Sequence, residues 1–532
     1  IAGRCTLIRS TLNTIPNHQM QLSMLPSRTL QEIDKIQRDF LWGTTTEKKK
    51  IHLINWDKVT MPKEMGGLGI RKAKNKNLSL LTSLVWRLLN NHSSTWVRVI
   101  SSCYNQTKST NKASHTWKSL LKGWNYCKEG IRWPVDKNPN MSIWDTNWIP
   151  KFGSLRKNVI GPLNKKESEL TLKYIKNQNA WDMSQFNLPI NILNSIQSLT
   201  TSNNQDSTIV WSINTSGIFT TSSCYKLIDN NISDKQNYTG YNFDWIWKLE
   251  CPRKIKFFIW KCCHSRLPTR EYLGKIGVNI DTNFPICKTN ESLLHIFWEC
   301  KVEKIFWASI DIPFNSPRPQ EHWVDFLRDK SPKAQNSLTN WKVAFPFVLW
   351  SIWNTRNENN SKNTANKINT SKVFKLALEY QLLATMKPNV NSSIKVKIKW
   401  HPPPKDWYKI NIDGAFNEEN MQGGISGVIR NNNGDWILGF NAKCESTSPI
   451  HSELLAFRQA LHITMQGNFI PCKIETDATE VIRCLEEDYP TYKSLFDECR
   501  YLMEKLMERG ETRMKHNFRE GNKVAHLLAK EA

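Results

Sequence analysis

The run Tyr408-Lys409-Ile410-Asn411-Ile412-Asp413-Gly414-Ala415 constrains this chain more than any other stretch. Ile410 and Ile412 alternate with polar neighbours, which is the period of a β-strand, and the alternation stops at an acid followed by glycine. The pattern places Asp413 at the rim of a sheet, where its carboxylate faces a ligand. Two further acids fall where a sheet could bring them beside it. Glu453 comes early in the helical run 452–461, and Asp477 ends a second strand-like run, Lys473-Ile474-Glu475-Thr476-Asp477. Strand-end acids with no local basic partner are costly unless they hold a cation, and hard divalent ions take oxygen ligands of this kind. Singly, Asp413, Glu453 and Asp477 read as ordinary surface acids; their order and context make them a set. Glu475 and Glu520 read as solvated or capping residues.

A chain of 532 residues is too long for one core, so three or four units are expected. It begins at Ile1 and reads as the tail of a longer frame. The net charge of +25 is unevenly placed: residues 405–532 carry 16 Lys and Arg against 20 Asp and Glu, the remainder 57 against 28. A basic body joined to a mildly acidic module suits a polyanion-binding platform with a separate chemical unit, the bland alternative being a solvated basic surface. Thirteen scattered cysteines without a signal peptide argue against a disulfide framework, so an intracellular location, nuclear or cytosolic and not secreted, is expected. No apolar run approaches the roughly 18 residues of a spanning helix, so no membrane partner is expected. The 23 Trp read mostly as core, with some available to stack on bases.

In residues 1–100, apolar spacing predicts a helix over 29–41, with Leu30, Ile33, Ile36, Phe40 and Leu41 on one stripe, and another over 78–89. Met65-Gly66-Gly67-Leu68-Gly69-Ile70 lacks the ending of a phosphate loop and reads as a tight turn. Residues 101–235 are Trp-rich, with strand character at Val210-Trp211 and at 217–220. The run Phe345 to Asn357 predicts a buried helix, the Asn- and Lys-rich stretch 357–370 a linker, and His401-Pro402-Pro403-Pro404 a stiff spacer. From Lys405 onward the expected order is strand, strand, strand, helix, strand, helix, helix, strand, helix. Its first hairpin signal is the Asn-Gly within 431–435.

Several of these runs resemble parts of plant non-LTR (LINE-type) retrotransposon polyproteins. Ala2-Gly3-Arg4, Asp39-Phe40-Leu41-Trp42-Gly43, Ile54-Asn55-Trp56-Asp57 and the glycine turn are similar to the segment that follows the polymerase palm. No paired-aspartate palm motif occurs, so no polymerase centre is expected in this chain. Gly130-Ile131-Arg132-Trp133 and Ile143-Trp144-Asp145-Thr146-Asn147-Trp148 resemble the next stretch, although the glycines of its turn are replaced over 136–140. Residues 245–269 resemble the zinc-binding region of these reverse transcriptases. Its C-x2-C, His and Cys ligands correspond to Phe284, Cys287, His295 and Cys300, so three of four zinc ligands remain. Weak Zn2+ binding and a small core with reduced thiols both stay open, and Cys262, Cys263 or His264 could substitute.

Asp413-Gly414-Ala415, Ser452-Glu453-Leu454-Leu455-Ala456, Glu475-Thr476-Asp477 and the stretch 516–529 resemble the ribonuclease H fold of plant retroelements. The implied fold class is multidomain, with mainly α-helical and irregular Trp-rich N-terminal regions and a C-terminal α/β ribonuclease H-like fold with a mixed five-stranded sheet. The implied segments are 1–100, the thumb-like end of a reverse transcriptase; 101–239, a Trp-rich connector; 240–325, the zinc-binding-like region; 326–404, helix and linker; and 405–532, the ribonuclease H-like domain.

The resemblance implies an endonuclease that binds an RNA–DNA hybrid by its phosphate backbone and hydrolyses the RNA strand with two Mg2+ ions. Asp413 would bridge both ions, with Glu453 and Asp477 completing the one on the leaving-group side. His516 matches a loop histidine that shuttles protons or releases product, and Arg519 and Asn522 would fix the substrate loop and the helix start. The family's fourth acid falls at His526. One imidazole nitrogen in its place weakens Mg2+ on the nucleophile side and suits Mn2+ better. A catalytically decayed nucleic-acid-binding remnant is therefore the alternative, and an inert fragment a third.

Overall fold

A computed structural model describes every residue except 92, 105–112, 136–137, 178–179, 184–185, 200–208, 234–241, 311–323, 326–327, 329–339, 363, 365, 386–398 and 488. The chain divides into two compact units, Ile1–Asn77 with Ile232–Ser393, and Leu78–Asn231 with Ile394–Ala532.

The first unit is helical around an aromatic core that includes Trp260, Phe297, Trp307 and Phe345. Its helix Ser27–Trp42 buries Leu30, Gln37, Leu41 and Trp42, whereas Ile36 and Phe40 of the expected stripe are exposed. Burial of Gln37 in place of Ile36 turns the stripe by one position, and Gln37 is partnered by Asn13. The glycine run is a tight turn: Gly67 N–H donates to the Pro62 carbonyl and Gly69 N–H to that of Met61. A Cβ at Gly67 would lie 1.8 Å from the Met61 oxygen, which only glycine avoids. The helix Trp341–Lys362 runs past Asn357 into the stretch read as linker, because Asn359 is buried and bonds the Asn366 carbonyl.

In the second unit the terminal elements follow the expected order. They are β1 (Tyr408–Asn417), β2 (Gln422–Arg430), β3 (Trp436–Glu445), α1 (Pro449–Gly467), β4 (Cys472–Thr476), α2 (Thr479–Glu486), α3 (Lys493–Arg509), β5 (Thr512–His516) and α4 (Lys523–Glu531). The sheet order is β5-β4-β1-β2-β3, with β4 parallel to β1 and β5, and β2 antiparallel to β1 and β3. Ser448 caps α1, its side chain accepting from the His451 N–H, and Pro449 follows at the first helical position. Ile410, Ile412, Ile429, Leu454, Phe457, Leu461 and Ile474 fill the core between sheet and helices.

Strand β1 departs from the expected alternation. It does not stop at the acid but runs through Asp413 and Gly414 to Asn417, so Asp413 lies within the central strand. A Cβ at Gly414 would lie 2.4 Å from the Glu453 nitrogen, and one at Gly424 2.0 Å from the Ala529 carbonyl oxygen. Ala415 is the partner of Gly424, so Gly414 and Gly424 point to opposite faces, and α1 and α4 cover the two sides. Lys409, Asn411 and Asp413 of β1 are buried as well as Ile410 and Ile412. Glu475, read as solvated or capping, is buried and bonded to Lys409 (3.0 Å), Lys473 (2.6 Å) and Asn517 (2.8 Å). Burial alone would raise its pKa, but the lysines bring it below the usual carboxylate range.

The Trp-rich segment of this unit has its own core around Trp144, Trp148 and Trp181. Ile131–Arg132 pairs with Val210–Trp211, whereas 217–220 is not a strand. Thr220 precedes the helix Thr221–Ser233, and its hydroxyl accepts from the Ser223 N–H. Part of the replaced turn at 136–140 lies outside the described residues. This segment is joined to the terminal elements by polar contacts. Lys151 bonds Glu418 (2.9 Å), Asn194 the Asn420 carbonyl (2.7 Å), Arg132 the Thr491 carbonyl (3.3 Å) and Thr491 the Thr215 carbonyl (2.8 Å).

Candidate functional site

The parallel register of β4 and β1 pairs Glu475 with Asn411, so Asp477, one residue past β4, comes level with Asp413. Gly414 leaves room for the first turns of α1 against the β1 backbone, which brings Glu453 to the same place. Ligand atoms of Asp413, Glu453 and Asp477 lie within 4.8 Å of one another. One Glu453 oxygen is buried with no hydrogen-bond partner. Burial, then the charge of Asp477, pushes Asp413 up to about 6, with His526 opposing. Burial, then Asp413 and Asp477, holds Glu453 well above the usual carboxylate range. Three acids this close repel one another, and one of their carboxylate oxygens is buried without a partner. That donor set fits a hard divalent cation.

His526 stands beside this group. Its Nε2 lies 2.8 Å from an Arg519 Nη2, and its Nδ1 3.2 Å from Asp413 Oδ2. Guanidinium nitrogens only donate, so Nε2 accepts, and the proton on Nδ1 is donated to Asp413. The imidazole is thus a neutral hydrogen-bond donor to a ligand carboxylate, and His526 is not among the three clustered donors. Arg519 serves it from the loop before α4. Asn522 does not cap α4 with its side chain; its Nδ2 donates 2.7 Å to the Ile412 carbonyl and ties α4 to β1 next to Asp413. His516, exposed at the end of β5, pairs with Thr476 one residue before Asp477, its ring 5.3 Å from that of Phe518. A cavity of about 490 Å3 opens beside Gly414 and His526 and is lined by Lys443, Arg519 and Lys530, cations suited to a phosphate chain.

In the first unit, ligand atoms of Cys287, His295 and Cys300 lie within 4.8 Å of one another, with Cys287 Sγ 3.0 Å from His295 Nε2. Phe284 is buried, its ring 5.9 Å from that of His295. None of the substitutes joins the group among the described residues. Cys262 and Cys263 are packed in the aromatic core, and His264 bonds the Gly66 carbonyl at 2.7 Å. Three convergent soft donors fit zinc, with one position short of a closed structural site. Sequence reasoning missed Glu303, which is buried, bonded to Cys300 and has one oxygen without a partner; burial pushes it up to about 7. Its place three residues after Cys300, in the first turn of the helix Lys301–Ser309, was the available signal.

Residues 411–532 match the family described as reverse transcriptase-like, and residues 219–307 the family described as zinc-binding in reverse transcriptase. A provisionally named ribonuclease H protein of Arabidopsis thaliana is 26% identical over 559 residues, taking in 99% of this chain and 88% of the relative. An uncharacterised mitochondrial protein of the same plant is 23% identical over 142 residues, covering 25% of this chain and 92% of its own length. Among solved structures, RNase H1 of the archaeon Halobacterium salinarum is 19% identical and covers 24% of this chain and 96% of that one, with a TM-score of 0.21. LC11-RNase H1, isolated from compost and solved in complex with an RNA/DNA hybrid, is 21% identical and covers 24% and 95%, with a TM-score of 0.22. Residues 411–532 are thus similar to the reverse transcriptase-like family and residues 219–307 to the zinc-binding family of reverse transcriptases, consistent with a retroelement remnant.

Proposed function

We propose that the terminal domain is a metal-dependent ribonuclease that cuts the RNA strand of an RNA–DNA hybrid. The observation that carries the proposal is the convergence of Asp413, Glu453 and Asp477 on one point, with an unpartnered Glu453 oxygen. Those three carboxylates would hold Mg2+ or Mn2+; two such ions, when bound, activate a water and stabilise charge on the attacking and leaving oxygens. Gly414 lets Glu453 approach Asp413, Asn522 fixes the backbone beside it, and Lys443, Arg519 and Lys530 bind phosphates along the adjoining cavity. His516, exposed at the end of β5, would shuttle protons or help release product. Metal binding is tested by melting the full chain with and without Mn2+: wild type gains stability with the ion, and Asp413→Asn does not.

A second reading, binding without cleavage, rests on His526. A neutral donor stands where the family has an acid, and its N–H already occupies one Asp413 oxygen. The basic remainder of the chain would then grip phosphates alone. Zinc at Cys287, His295 and Cys300 would tie the loop to the helix Lys301–Ser309 by three ligands only.

A further inference from the structure

Among the described residues, the first unit gathers four cations with no carboxylate in ion-pair reach. Arg9 comes from the turn of helix Ile8–Leu12, Lys63 from the loop before the glycine turn, and Arg253 and Lys256 from the first turns of the helix Arg253–Cys263. Arg9 and Lys63 meet over Gly69: a Cβ there would lie 3.6 Å from an Arg9 Nη and 4.0 Å from Lys63 Cγ. Trp247 joins the other side. Lys63 Nζ stands 5.1 Å from its ring centre, and Lys256 Nζ donates 2.8 Å to its carbonyl. Among the described residues, none of the four cations is paired with a carboxylate. Three separate chain segments thus converge to hold like charges together. Arg253 and Lys256 also sit at the positive end of a helix with no acid in its first turn, the less favourable end for cations. Burial, then Arg9, Arg253 and Lys256, lowers the Lys63 pKa, a strain that a bound anion would relieve.

We infer that Arg9, Lys63, Arg253 and Lys256 form a binding site for the phosphodiester backbone of a nucleic acid, separate in sequence from the acid cluster of the terminal domain. The site reads no bases: point charges on flexible stems contact phosphates and leave sequence unread. Arg9 and Lys63 both come beside Gly69, and Trp247 orients both lysines.

The inference rests on nucleic-acid binding as proposed above, and the test separates the two. Affinity of the full chain for a labelled duplex is measured across a salt series. Each phosphate neutralised contributes about 0.9 to the slope of log K against log salt. The variant Arg9→Gln/Lys63→Gln/Arg253→Gln/Lys256→Gln is expected to lower the slope by about 3 to 4. The exposed lysines of the same unit, changed as Lys48→Gln/Lys49→Gln/Lys50→Gln/Lys58→Gln, are expected to leave it within about 1 of wild type. Arg9→Gln/Arg253→Gln changes exposed side chains only and, expected to lower it by about 2, keeps the test if the fourfold variant does not fold. A wild-type slope in the cluster variants, or an equal fall in the control, overturns the inference while binding itself stands. A wild-type chain that binds no duplex overturns both.

Discussion

Asp413 and His526 decide what the site can do. With Nδ1–H donated to Asp413 and Nε2 accepting from Arg519, His526 offers a metal no lone pair without changing its tautomer. His526→Asp restores an anionic oxygen beside Arg519 and Asp413. Mg2+-dependent cleavage of a hybrid is expected to rise at least about tenfold, about 1.4 kcal/mol of barrier. An unchanged Mg2+ rate, with Asp413→Asn still inactive, would place residue 526 outside the chemistry. The acids also set a pH dependence. Asp413 titrates near 6 in the folded chain against an ordinary 3.8, so between those values the folded state holds the proton that the unfolded state has lost. Stability without divalent metal is therefore expected to fall as pH rises from about 4 to 6. Asp413→Asn should remove this part of the slope, and Mn2+ should cancel it by taking the proton's place. Melting curves at several pH values, with and without the ion, measure it.

At the scale of elements, the terminal strand and helix order was legible because Ile410 and Ile412 alternate with polar neighbours along β1 and a turn signal at 431–435 separates β2 from β3. Of the three acids, Asp477 lies just past β4 and Glu453 in the first turns of α1, as their sequence runs implied, whereas Asp413 lies within β1. What local pattern could not show was the second covering layer. Alternation along β1 implied one wet face, but α4 stands over it at Asp413, and Trp400, Lys409 and Asn517 partner Asn411 and Glu475 farther along. Gly414 read as a strand stop; it is in fact a close approach that the strand runs through. Ile36 and Phe40 failed as core because Gln37 finds Asn13, a partner 24 residues away. Glu303 went unread because a buried acid has the same letter as a surface one. The knuckle around Cys287 carries its own prediction. Phe284→Cys is expected to raise bound zinc to about one per chain and to raise Tm with it, since metal binding is coupled to folding. Metal analysis and melting of both proteins check it, and full stoichiometric zinc in the unchanged chain would show that Phe284 leaves no gap.

The whole molecule joins the Trp-rich segment to the terminal domain, a contact that no sequence period announces because the partners are hundreds of residues apart. Lys151, Asn194, Arg132 and Thr215 meet Glu418, Asn420 and Thr491 across that join. Excised residues 400–532 lose these bonds and are expected to melt several degrees below the full chain, since a loss of about 1 kcal/mol moves Tm by about 2–8 °C. Equal Tm values would show the join to be incidental. No helix among the described residues is long and apolar enough to cross a membrane. The chemistry proposed for the whole rests on the carboxylate cluster. The most direct measurement is cleavage of an RNA–DNA hybrid, labelled on the RNA strand, by the full chain in Mn2+, beside Asp413→Asn at equal concentration. The account predicts shortened RNA with wild type, intact DNA, and no product from the variant; a hybrid bound but left whole in Mn2+ would contradict it.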